Sequence, residues 1–298
     1  NRLTAFNQDG FAVGGDDGCN GSSGAFVGWT WKAGGNKNTF NIDDVGYASA
    51  AAAGLDGGTI TPTGASIGTK QGFSIIKTNL PGSNTASTFS HGLTQAPDFV
   101  LVKPTGVNFQ WDVYHKSLGK DAYLVLNTNA AQVTSATTVW NSTDPTSSVF
   151  HLGDAWTGGV GTNQPVIVYA WHDVPGLQKF GKWTNNNSND GTFIELGFKP
   201  AVLLLKNSDN VEQWYIIDGT RYPNNLGPGS STLVALQPSS NKTEADTVAQ
   251  ASNAGVDFLS NGFKIRSTNT GAGEISFGTR NYIYAAWAEA PSINLYGA

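Results

Sequence analysis

Three residue types in this 298-residue chain could carry chemistry: carboxylates, histidines and tryptophans. Asp112 and Asp218 fall in two similar stretches, FQWDVYH and EQWYIID, but at non-equivalent positions, and Glu195 is matched by Ser90. Paired-carboxylate catalysis needs two acids at a set separation, and a duplicated active site would repeat them. His91, His115, His151 and His172 show no His-x-x-x-His spacing and read as surface or strand-end side chains. No nucleophile elbow, phosphate loop or dinucleotide fingerprint appears. The expectation is a non-enzyme.

Two loops are oxygen-rich, Asp16-Asp17 with Asp9 and residues 186–190. Such loops suit calcium, although Asp, Asn and Gly are also the ordinary residues of turns. Calcium is therefore the one cofactor considered, and no metal site is assigned. The single cysteine, Cys19, excludes an internal disulfide and a cysteine-based zinc site. Of the nine tryptophans, Trp29 and Trp31 share one face of a strand, and the other seven divide into two groups. Trp111, Trp171, Trp214 and Trp287 recur at matched positions and are expected to fill cores. Trp140, Trp156 and Trp183 fall in loops or short connections, bracketed by Asn, Thr and Gly. Exposed aromatics in such settings make glycan-binding or protein-docking surfaces, so these three are the candidate binding residues.

The elements that would position these side chains come from an internal repeat. Residues 191–221, GTFIELGFKPAVLLLKNSDNVEQWYIIDGTR, have a near-copy at residues 87–117, STFSHGLTQAPDFVLVKPTGVNFQWDVYHKS. In both, Thr-Phe leads to a Gly-hydrophobic turn, a proline, an apolar run ending in lysine, and a tryptophan 14 positions after the proline. Self-similarity of this kind decides the architecture before any single motif does. AFVGWTWKAG, VIVYAWHDVPG and YIYAAWAEAP read as one closing strand used three times. DGF near the start and NGFKI near the end precede it in the same order.

Apolar runs of strand length are separated by Gly, Pro, Asn or Ser, and no amphipathic stretch of helical length lies between them. That layout predicts an all-β protein of tandem antiparallel β-sandwiches. Residues 1–35 read as the C-terminal remnant of a first repeat, with 25–32 an aromatic strand. Residues 36–71 read as a linker or irregular extension, with a turn of helix near the alanines. Residues 72–178 and 179–298 read as two sandwich repeats. Charged residues are only 13% of the chain, the net charge is −5, and the basic residues are scattered singly. No electrostatic footprint for nucleic acid results, and no apolar run is long enough for a membrane helix.

The repeated segment 191–221, DAYLVLNTNAA, WNSTDPTSSVFHLG, GVDFLSNGFKIRSTN and YIYAAWAEAP resemble a family of repeated domains in tail-fibre and other virion surface proteins of bacteriophages, especially phages of marine bacteria and cyanobacteria. The resemblance covers the whole chain and is most specific over residues 72–175 and 180–291. It implies a concanavalin-like or jelly-roll type of β-sandwich, a place on the phage particle, and a tail-fibre or host-contact role. The implied partners are other virion proteins, further copies of the chain (three-fold by analogy), and a bacterial surface glycan or protein. Two alternatives are a capsid or tail decoration protein without receptor binding, and a glycan-binding accessory domain of a secreted enzyme. The resemblance carries over no defined set of binding residues.

Overall fold

The computed structural model describes residues 2–7, 10–80, 85–156, 161, 163–222, 225, 234–244, 255–266 and 279–289. The chain divides into two units, Asn1–Lys32 and Ala33–Ala298.

In the first unit, β1 (Leu3–Asn7) pairs antiparallel with β2 (Gly10–Val13). Phe6 lies opposite Phe11 and Leu3 opposite Val13, with a register shift between Leu3 and Ala5. A four-residue helix, α1 (Asp17–Asn20), follows. Asp16 caps it by accepting a hydrogen bond from the Gly18 amide at 2.9 Å. Residues 25–32 are not a strand here, contrary to expectation. A strand requires a ladder partner for its backbone N–H and C=O groups, and no β-ladder involves this segment among the described residues. No described residue of the unit is buried.

The second unit opens with β3 (Phe40–Ile42), β4 (Val45–Tyr47), β5 (Gly64–Gly68), β6 (Phe73–Asn79), β7 (Ser87–Ser90) and β8 (Phe99–Pro104). It continues through β9 (Asp112–His115), β10 (Leu124–Val125), β11 (Val149–Leu152) and β12 (Pro165–Trp171). The later strands are β13 (Gln178–Thr184), β14 (Phe193–Glu195), β15 (Pro200–Asn207), β16 (Trp214–Asp218), β17 (Val256–Leu259), β18 (Gly262–Ile265) and β19 (Asn281–Ala288). One sheet has eight strands in the order β10-β9-β8-β12-β6-β5-β3-β4, and β7 pairs with β11 beside it. A four-stranded sheet runs β13-β19-β15-β16, and a three-stranded one β14-β18-β17. The order β9-β8-β12-β6 thus recurs as β16-β15-β19-β13. All pairings are antiparallel except β3 with β5, so the protein is all-β with distinct, mainly antiparallel sheets.

Residues 36–71 are not a linker. They supply β3, β4 and β5 to the large sheet, and Phe40, Leu55 and Ile67 to a buried core. Their small, turn-rich composition hides this, because the strands are only three to five residues long. The alanines form turns, with the Ala52 amide donating to Ser49 Oγ and the Ala53 amide to Ser49 O.

Side-chain alternation explains the layering. In β12, Val166, Val168 and Ala170 enter a core with Phe89 and Phe150 from β7 and β11. Trp171 points the other way, into a second cluster with Phe73 and Phe99. In β19, Tyr282, Tyr284 and Ala286 face a core containing Phe263 and Ile265. Ile283, Ala285 and Trp287 face the same cluster as Trp171. The four-stranded sheet is therefore buried on both faces along β19, the eight-stranded sheet is covered on its second face where β12 ends at Trp171, and an aromatic seam joins them. The repeated Gly-hydrophobic turn requires its glycine, since Gly92 and Gly197 have φ of +68° and +82°.

Candidate functional site

The three tryptophans expected on an exposed surface are core residues. Trp140, Trp156 and Trp183 are 0%, 2% and 5% exposed. Trp140 Nε1 donates to Ala122 O at 3.0 Å, and its ring meets Tyr114 and Phe150 edge-on. Trp156 Nε1 donates to Val139 O at 3.0 Å. Trp183 lies in β13, not in a loop, and stacks on Tyr282 with centroids 4.7 Å apart. Irregular or polar flanking sequence does not expose a tryptophan when its area is this large, because the chain gains most by covering it.

The repeated tryptophans are also placed differently from the expectation that each fills its own core. Trp171, Trp214 and Trp287 sit in the seam between the two sheets. Trp171 and Trp287 meet edge-on at 6.2 Å, Phe73 stacks on Trp171 at 4.5 Å, and Phe99 stacks on Phe180 at 5.6 Å. Trp111 is only half-buried and stacks on Tyr169 at 6.2 Å. The sequence held a signal for this arrangement. FVLV, VLLL, VIVYAW and YIYAAWA are apolar at successive positions, whereas a sheet with one wet face alternates apolar with polar.

Polar links tie the seam together. Trp214 Nε1 donates to Val125 O at 2.9 Å, and the Gln132 amide to Ser208 O at 2.9 Å. His115 Nδ1 accepts from the Ser117 amide at 3.1 Å, so its proton is on Nε2, which donates to Tyr284 O at 3.2 Å. Burial lowers the His115 pKa to about 4, opposed by the bond to Tyr284. Gln178 Nε2 reaches Gln71 O, Gly72 O and His172 O at 2.8–3.1 Å.

His91, His115 and His172 are buried strand-end residues, not surface ones. His91 Nδ1 accepts from the Leu93 amide at 3.1 Å, which leaves Nε2 to donate to Thr146 O at 3.0 Å, and burial lowers its pKa to about 4. Each of these three rings has a backbone partner.

The repeated lysines bolt the loop that follows their strand. Lys206 is fully buried, and its Nζ donates to Asn207 O at 2.7 Å and Asn210 O at 3.2 Å. Burial lowers its pKa to about 8, with Glu212 opposing. Lys103 Nζ donates likewise to Phe109 O. The hollow beside Lys206, lined by Leu205, Glu212, Gln213 and Tyr215, leaves essentially no room for even a water-sized molecule. Small-molecule sites run to about 300–1,000 Å³, so this one is too small for a metabolite. Asp112 is the most perturbed acid: burial raises its pKa to about 7, against a 2.6 Å hydrogen bond from Gln110.

In the candidate calcium loops, Asp16 pairs with Arg2 at 3.2 Å and Asp190 pairs with Lys264. Asp9 lies outside the described residues. Among the described residues, no cluster of three or more His, Cys, Asp or Glu side chains is arranged to hold a metal. No described helix is long and apolar enough to cross a membrane. The arrangement packs the two halves of the second unit against each other, and the seam is its most developed polar and aromatic feature.

No curated protein matches the chain in sequence. Among solved structures, the major capsid protein P2 from bacteriophage PM2 aligns at 9% identity, covering 73% of this chain and 99% of that one. Its TM-score of 0.22 carries no argument about fold or function. A family model described as a domain of unknown function, DUF7483, matches residues 1–291, and the chain belongs to that family.

Proposed function

We propose that the chain is a structural module of a bacteriophage particle, built as tandem β-sandwiches of concanavalin-like or jelly-roll type, and that it performs no catalysis. The observation that carries this reading is the seam. Eleven buried residues from both halves form one continuous apolar cluster, and hydrogen bonds from Trp214 and His115 cross it. Burying a large side chain contributes about 1.5–3 kcal/mol, so separating the halves would cost far more than an ordinary interdomain contact. Such a block suits a load-bearing particle component, which must hold its shape. The resemblance of the repeated motifs to tail-fibre and virion surface domains supports a place on the particle.

Within that reading an assembly or decoration role is favoured, because Trp140, Trp156 and Trp183 are buried and offer no aromatic platform. Host contact as a tail-fibre module is the second reading. It would use loops that differ between the halves and gain strength from several copies per particle. Mass spectrometry and immunogold labelling of purified particles test the proposal. Absence of the chain from intact particles would sink it. Adsorption of the purified chain to host cells, blocked by loop substitutions, would instead favour host contact.

A further inference from the structure

Four aromatic rings form a ladder on the seam-facing side of the eight-stranded sheet. Phe73 stacks on Trp171 at 4.5 Å, Trp171 on Tyr169 at 6.3 Å, and Tyr169 on Trp111 at 6.2 Å. Neighbouring planes differ by only 15°, 21° and 20°. Tyr169 and Trp171 are two apart in β12, so they share a face. The second half covers one end of the ladder, where Trp171 meets Trp287, and Phe73 and Trp171 are buried. Tyr169 and Trp111 at the other end are half-buried. Trp111 is the last rung, and Tyr169 is its only ring neighbour among the described residues.

The polar atoms around this last rung are unspent. Trp111 Nε1 and Tyr169 Oη have no hydrogen-bond partner among the described residues, and neither atom is buried. Asn127 is exposed, and its Oδ1 accepts the Trp111 amide at 2.9 Å. That bond holds the side chain beside the indole and leaves Nδ2 free to donate. The repeat supplies a contrast. Trp214 corresponds to Trp111, and register sets Ala285 at the place of Tyr169. Trp214 Nε1 is spent on Val125 O, and an alanine offers no ring. Only the first half keeps an open rung with free donors.

We infer that the open end of the ladder binds a sugar ring of a neutral glycan, with Trp111 as the platform. One face of a pyranose is lined by C–H groups that pack on an aromatic ring, while the hydroxyls at its rim need donors and acceptors. A sugar on Trp111 would add the next rung, with Trp111 Nε1, Asn127 Nδ2 and Tyr169 Oη at its rim. Lys103 of β8 turns its ammonium to Phe109 O, so the platform is served by neutral polar groups. Size separates a glycan from a protein partner. Two half-buried rings show on the order of 100 Å², far below the roughly 1,000 Å² of a specific protein interface. A single such site is weak and gains strength from several copies. The inference goes beyond the particle role proposed above and is tested on the purified chain, apart from particles.

The full chain is screened against an array of neutral hexose and N-acetylhexosamine oligomers, and bound oligomers are titrated by calorimetry. At least one oligomer should bind, and Trp111→Ala should weaken its Kd by at least about tenfold. Trp111→Phe, which keeps a ring and loses the N–H, should lie between. Phe193→Ala removes a 43% exposed ring elsewhere and should leave Kd unchanged. Indole N–H signals of the native chain remove the risk that a variant has simply unfolded. The Trp111 signal, identified by its loss in Trp111→Phe, should shift on adding the oligomer, while the Trp214 signal stays. Failure of every oligomer to bind overturns the inference, as does binding indifferent to Trp111→Ala or a shift confined to other indoles. Capture of a protein at Trp111 with no glycan bound overturns it too.

Discussion

The hairpins β1–β2 and β17–β18 share their pairing and their phenylalanine pair, yet one face is bare and the other is sealed. The difference lies in the neighbours, not in the hairpins. Phe263 has the four-stranded sheet over it, and Phe11 has no such sheet in its own unit. Equivalent residues diverge elsewhere in the same way. Trp214 is sealed in the seam and bonded to Val125 O, while Trp111 is half-buried at its margin. Register sets His115 opposite Phe99 and Asp218 opposite Val202, so these two residues correspond. Both cap the turn that follows their strand, and His115 alone also bonds across the seam.

The largest effect should separate the two hairpins. Phe263→Ala should lower the stability of the second unit by about 3–5 kcal/mol, and Phe11→Ala should change it by less than about 0.5 kcal/mol. Urea midpoints followed by tryptophan fluorescence would measure both, and equal losses would break the comparison.

The next effect is pH-dependent. The folded pKa of His115, about 4, lies below its unfolded value of 6.5. The unfolded chain therefore binds the extra proton first as pH falls. The contribution of His115 should be full above pH 6.5 and decline towards pH 4, by on the order of 3 kcal/mol, while Asp112, with its pKa raised to about 7, slopes the opposite way over this range. His91 adds a parallel decline, since its pKa is also lowered to about 4. His115→Gln should reduce the loss of stability between pH 6.5 and pH 4 by on the order of 3 kcal/mol in a stability-versus-pH series, and an unchanged slope would exclude His115 as a source.

A smaller contrast is expected between Trp214→Phe and Trp111→Phe. The first loses ring area and the bond to Val125 O in a sealed cluster, for about 2 kcal/mol. The second should cost under about 0.5 kcal/mol. Denaturant titration of the two variants compares them, and a reversed order would move the seam away from Trp214. Smallest of all, Lys206→Met should cost about 1–2 kcal/mol because it strands the carbonyls of Asn207 and Asn210. Faster amide exchange in residues 208–213 would report the loosened loop, and no change there would deny the lysine its role.

Much of this was legible in the chain. The strands β6, β8, β9, β12, β15, β16 and β19 coincide with apolar runs picked out by the repeat, and the proline and glycine punctuation marks their ends. Segment 36–71 was not legible, because three-residue strands carry too little periodicity to stand out from turns. Segment 25–32 has the composition of its strand-forming counterparts but not their ladder partners. Trp140 and Trp156 were misleading because local polarity says nothing about which distant surface folds over a ring.

By itself the sequence determined the β class, the repeat, the glycine-dependent turns and the low surface charge, all of which rest on local backbone preference and residue type. Tertiary structure alone decided that β19 is buried on both faces, that Trp171 and Trp287 meet across a seam, and that β1–β2 lacks the cover that β17–β18 has. Those outcomes depend on contacts between segments from tens to more than a hundred residues apart. A strand's alternation defines its two faces, but only the assembled sheets determine what each face meets.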